Sequence, residues 1–127
     1  MTSIRVLIVD DMAQVRRDLC TVLPLAGQAA GLEIEVVGEA GNGQEAIQQA
    51  AALRPDVVLM DLEMPIMSGY EATRQIKAGS PGCRVIALTI HGDETVQQKA
   101  IQAGVDDFVV KGAPIASVIQ AMIKEKE

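Results

Sequence analysis

Five short apolar runs, each closed by a polar or charged residue, alternate with segments of helical period, and this narrows the fold more than any other feature. Residues 4–9 are rich in β-branched side chains and end on Asp10 and Asp11. Residues 33–40 mix alternation with the Val36-Val37 pair, as expected of an edge strand with one wet side. After the breaker Pro55, residues 57–60 are unbrokenly apolar and deliver Asp61. Such a run suits a strand covered on both faces. Residues 84–89 close on Thr89, and residues 106–110 deliver Lys111.

The intervening segments change period. Val15, Leu19, Val22 and Leu23 predict a helix from residue 12 that ends at Pro24 or runs past it with a kink. Further helices are predicted over 44–53, 70–78 and 93–103, the last with Asp93 and Glu94 at its positive end and Gly104 just beyond it. The clearest begins after Pro114, where Ile115, Val118, Ile119, Met122 and Ile123 share one face. Strands alternating with helices predict a single α/β domain built on a doubly wound parallel sheet, with no internal repeat.

Right-handed crossovers bring the carboxyl ends of all strands in such a sheet to one edge. Asp10, Asp11, Asp61, Thr89 and Lys111 are therefore expected to share a shallow pocket. Clustered carboxylates repel one another, and a divalent cation relieves that repulsion. Oxygen ligands in small number suit Mg2+, with Mn2+ an acceptable substitute. Lys111 adds a compact positive charge opposite the metal, and a carboxylate in such a clamp can act as nucleophile toward phosphorus.

Composition excludes several other classes. With 127 residues and 49% hydrophobic content, the chain suits one domain that buries its own core. A formal net charge of -6 without any Lys/Arg run argues against direct nucleic-acid binding. Cys20 and Cys83 lack metal-ligand spacing, no apolar run approaches a membrane span, and residence in a reducing cytoplasm is expected. Each candidate also has an ordinary reading: Asp10 as a helix cap, Asp11 as a first-turn acid, Lys111 and His91 as solvated side chains, Thr89 as a plain strand residue, Phe108 as a packing aromatic. Joint placement at strand ends outweighs that reading for the acids, Thr89 and Lys111.

In chain order, Asp10-Asp11, the segment Asp61-Leu62-Glu63-Met64-Pro65-Ile66-Met67-Ser68-Gly69, then Thr89, Phe108 and Val109-Val110-Lys111, make the chain resemble the receiver domain of two-component response regulators over essentially its whole length. The resemblance implies a CheY-like, flavodoxin-like (βα)5 fold of strand order 2-1-3-4-5, with residues 1–127 forming the receiver and no output domain in the chain. It makes Asp61 the phosphoacceptor, loaded from a phosphohistidine on a sensor histidine kinase or phosphotransfer protein. Asp10, Asp11, Asp61 and the backbone carbonyl of Glu63 would hold Mg2+. Lys111 and Thr89 would bind phosphoryl oxygens, and Phe108 would be the switch aromatic, altering the face formed by the fourth helix, fifth strand and fifth helix. Homodimerisation on phosphorylation is a further implication of the family, and no membrane contact is implied.

Two departures stand out. Ile90 follows the switch threonine where many receivers carry a small residue, and a β-branched side chain there is expected to narrow access to Asp61 and slow both phosphorylation and self-hydrolysis. Gly112 replaces the proline common after Lys111, and together with His91 it looks like receivers that precede a LuxR/NarL-type DNA-binding domain. The terminal residues 124–127 suit either a natural end or the start of a linker. The competing functions are a stand-alone receiver acting through protein contacts, an aspartyl-phosphate phosphohydrolase with Glu63 as general acid, a nucleotide or flavin module, and an unphosphorylated interaction platform. The acidic, glycine-free loop after the first strand speaks against the nucleotide module.

Overall fold

The computed structural model describes residues 2–124. Strand β1 (Thr2–Val9) leads into helix α1 (Ala13–Ala29), and the alternation continues through β2 (Leu32–Ala40), α2 (Gly43–Leu53), β3 (Val57–Asp61), α3 (Gly69–Gly79), β4 (Arg84–Thr89), α4 (Glu94–Ala103), β5 (Asp107–Val110) and α5 (Ile115–Ile123). The strands form one parallel sheet of order β2-β1-β3-β4-β5, the flavodoxin-like order. The expectations for residues 125–127 lie outside the described residues.

Apolar periodicity explains the layering. On one face Ile4, Val6, Ile8, Leu59 and Ile86 pack against Leu23 of α1 and Val118, Ile119 and Met122 of α5. On the other, Leu7, Val9, Val58, Met60 and Val85 pack against Ala46 and Ala50 of α2 and Ala72 and Ile76 of α3. Every residue of β3 is buried, as its unbroken apolar run requires.

Pro24 does not end the first helix; α1 runs through it to Ala29. A proline inside a helix removes one backbone hydrogen bond and crowds the carbonyl four residues earlier. The turns on either side nevertheless bring Leu23 and Ala26 into the core with Ile34, so tertiary burial overrides the local cost. The first four helices each start one residue away from the expectation, and side chains cap three of them, α2, α3 (Ser68 accepting from the Glu71 N–H at 3.3 Å) and α4. Asn42 accepts from the Glu45 N–H at 2.9 Å and Asp93 from the Val96 N–H at 2.9 Å. Asp106 stands just before β5 and accepts from the Val85 N–H at 2.8 Å and from Lys77 Nζ at 2.9 Å. Lys77 also donates to the carbonyls of Pro81 and Cys83, which ties α3, β4 and the start of β5 together at the edge opposite Asp61.

β2 is an edge strand and carries a bulge. Val6 pairs with Val36, but Leu7 pairs with Gly38, so Val37 is the extra residue. Among the described residues no helix is long and apolar enough to cross a membrane.

Candidate functional site

Asp10 follows the last residue of β1 and is fully buried. Its N–H donates to the Ala40 carbonyl at 3.0 Å, and its Oδ1 accepts from the Met12 N–H at 2.9 Å. Asp10 thus shapes the turn into α1 but does not cap the helix: Met12 occupies that position, without a side-chain cap. Asp10 Oδ2 is buried and faces the Lys111 ammonium, with Nζ at 2.9 Å. Asp11 is exposed beside it. One oxygen from each of Asp10, Asp11 and Asp61 falls within 4.8 Å of the others.

Asp61 closes β3 with only 3% of its surface exposed. Its Oδ1 accepts from the Glu63 N–H at 3.2 Å and lies 3.4 Å from Lys111 Nζ. Burial pushes the Asp61 carboxyl up from its ordinary 3.8 to about 6; Asp10 adds to the shift, and Lys111 with the Glu63 N–H opposes it. Burial also works against the charge on Lys111, yet Asp10 and Asp61 outweigh it and hold the ammonium above its ordinary pKa. Two acids and one lysine leave net negative charge at the end of the sheet. An oxygen-only donor set of three carboxylates that a single ammonium does not balance fits a hard cation such as Mg2+.

The backbone after β3 is built to present Asp61. Gly69 donates to the Leu62 carbonyl at 3.0 Å, and a Cβ at Gly69 would fall onto the Asp61 carbonyl oxygen, so the start of α3 can approach the acid only with glycine there. Between them Ile66 adopts φ 71°, a left-handed conformation unusual for a β-branched residue, with 80% of its surface exposed. Beyond β5, Gly112 has φ 94°, which proline, confined near -65°, does not adopt. The turn that seats Lys111 therefore accounts for glycine at this position.

Thr89 is buried at the end of β4, and its Oγ1 accepts from the His91 N–H at 3.1 Å. Its carbonyl accepts from the Lys111 N–H at 2.7 Å. The structure thus brings Asp10, Asp11, Asp61 and Lys111 together and fastens Thr89 to their rim. Phe108 stands apart, half-buried on the edge strand against the cluster of Leu62, Ala87 and Ala100 under α4. Ile90, the residue after Thr89, is 65% exposed.

Two neighbours escaped the sequence reading. His91 is solvated as expected, about half exposed, but its Nε2 also lies 3.6 Å from Glu63 Oε1. Each stands two residues past its strand end, on neighbouring strands, so strand adjacency was the available signal. Arg16, on α1, donates to the Asp10 carbonyl and to Glu39.

Residues 6–123 match the response regulator receiver domain family. The chain is 40% identical over 119 residues to the response regulator GacA of Pseudomonas viridiflava, covering 94% of this chain and 53% of that protein. It is 39% identical over 120 residues to the chemotaxis protein CheY of Thermotoga maritima, covering 94% and 95%. A LuxR-family two-component response regulator from Aurantimonas superposes with a TM-score of 0.85 at 30% identity, over 94% of this chain and 81% of that one. The chain spans about half the length of regulators such as GacA.

Proposed function

Because the chain belongs to the response regulator receiver domain family of two-component systems, we propose that it accepts a phosphoryl group on Asp61 from a phosphohistidine of a sensor histidine kinase or phosphotransfer protein. The observation that carries this reading is the convergence of three carboxylates within 4.8 Å, with Lys111 against two of them.

Asp10, Asp11, Asp61 and the Glu63 carbonyl would hold Mg2+, which supplies positive charge for the phosphoryl oxygens when bound. Asp61 Oδ1 is engaged by the Glu63 N–H and Lys111, so Oδ2 is the oxygen that attacks phosphorus. The P–N bond breaks, its electron pair returns to the imidazole, and the ring takes a proton from solvent. Lys111 then transfers its contact from Asp61 to a phosphoryl oxygen. Thr89 exchanges the His91 N–H for a second phosphoryl oxygen, which releases the start of the β4–α4 loop and lets Phe108 move inward. The altered face is α4, β5 and α5.

Acetyl phosphate or beryllofluoride with Mg2+, followed by intact mass and chemical-shift change, tests this on wild type and Asp61→Asn. One adduct on wild type alone is expected, and its absence overturns the reading. Sustained turnover of p-nitrophenyl phosphate would instead identify a phosphohydrolase. The likeness to LuxR-family response regulators, one of them DNA-binding, supports a receiver that controls a DNA-binding output; a receiver acting through protein contacts alone is the alternative that the likeness to CheY suggests. Phosphorylation-dependent dimerisation is readable in the same experiment by light scattering.

A further inference from the structure

We propose that Arg16, held in place by Glu39, is a positioning residue of the acidic centre: its guanidinium fixes the Asp10-Asp11 peptide and so the placement of the two carboxylates. The inference rests on the reading of that centre as a metal site.

The arrangement begins with the bulge in β2. Before it, Ile34 and Val36 face the core beneath α1 and α5. Beyond it, Ala40 packs with the opposite core, and a Cβ at Gly38 would press on Leu53 of α2. The extra residue Val37 inverts the pleat, so Glu39 emerges on the α1 side. There Arg16 Nε donates to Glu39 Oε1 at 3.2 Å, and Arg16 Nη1 donates to the Asp10 carbonyl. Without the bulge, Glu39 would face α2 and the guanidinium would lose its anchor.

The Asp10 carbonyl belongs to the peptide that joins the buried acid to the exposed one. Rotation of that peptide would swing Asp11 while Asp10 stayed held by Ala40 and Met12. α1 brings no side-chain cap and no first-turn acid to this junction, so the Arg16 bond is what pins the peptide plane from the helix side. A guanidinium on the Asp10 carbonyl also stands next to an acidic centre, where a free positive charge would compete with a cation. Its pairing with Glu39 diverts part of that charge, so Arg16 can hold the backbone without occupying the site. Residues that orient metal ligands from outside typically change affinity by about 10–100-fold when removed.

Calorimetric titration with Mg2+ and Mn2+ binding followed by its paramagnetic resonance signal, on wild type, Arg16→Ala, Arg16→Lys and Glu39→Gln, tests the inference alongside melting in EDTA. Arg16→Ala is expected to weaken metal binding by about tenfold. Arg16→Lys, which keeps a donor and the charge, should recover part of the loss, and Glu39→Gln should fall between. Equal affinity in all variants, whatever their melting temperatures, overturns the positioning role. If Arg16→Ala does not fold, unchanged affinity in both Arg16→Lys and Glu39→Gln overturns it equally. A wild type that binds neither ion overturns the metal reading itself and the inference with it, a result distinct from equal binding throughout.

Discussion

Lys111 Nζ stands 2.9 Å from Asp10 Oδ2, closer than its 3.4 Å to Asp61 Oδ1. The lysine therefore bridges both acids and offsets one of their two charges. Lys111→Met leaves two buried carboxylates facing each other, and the metal-free protein should lose roughly 3 kcal/mol of stability. Urea denaturation in EDTA measures this. Added Mg2+ should stabilise the variant more than wild type, because the competing ammonium is gone.

Asp61 gives the metal-free protein a pH dependence of definite sign. Its carboxyl titrates near 6 in the fold against an ordinary 3.8, so the folded state binds the extra proton between those values. Its contribution is fully present below about pH 4 and is lost as pH rises through about 6. Asp61→Asn should therefore gain on wild type across that interval by on the order of 2–3 kcal/mol. Parallel denaturation curves in EDTA from pH 4 to 7.5 provide the check; a constant difference between the two proteins would contradict it.

Ile66 holds a left-handed backbone with little packing in return. Ile66→Asn or Ile66→Gly should stabilise the fold by roughly 1 kcal/mol, since both residues tolerate that conformation. A lower midpoint in denaturant would show that the side chain makes a contribution the strain does not cancel.

Ile90, largely exposed and next to Thr89 in the chain, should matter for access and not for stability. Ile90→Ala is expected to leave the melting temperature within a degree or two of wild type, about what a 0.5 kcal/mol surface effect allows. The acyl phosphate should form and decay faster, and an unchanged decay rate would remove Ile90 from any gating role.

The parts legible in the sequence are those that depend on strand ends. In a parallel sheet with right-handed crossovers, a residue just after an apolar run must reach the same edge as its counterparts, which is why Asp10, Asp61 and Lys111 could be grouped from spacing alone. Pro24 was harder, because local chemistry argued for an end while burial of Leu23 and Ala26 argued for continuation, and only packing decides between them. The bulge at Val37 was invisible: Val36-Val37 reads as an ordinary β-branched pair, yet one extra residue changes the side on which Glu39 emerges. Arg16 consequently had no visible partner. His91 was missed because its contact with Glu63 joins two loops that are distant in sequence and adjacent only through the sheet.

At the far edge, Lys77 is shared by Asp106 and the carbonyls of Pro81 and Cys83. This rivet gives the sheet a mechanical polarity. With the beginnings of β4 and β5 clamped to α3, rigid-body sliding of these strands would break the Lys77 contacts. The two strands are thus anchored at the end remote from Asp61, and a displacement at Thr89 under the proposed phosphorylation would act against a fixed base.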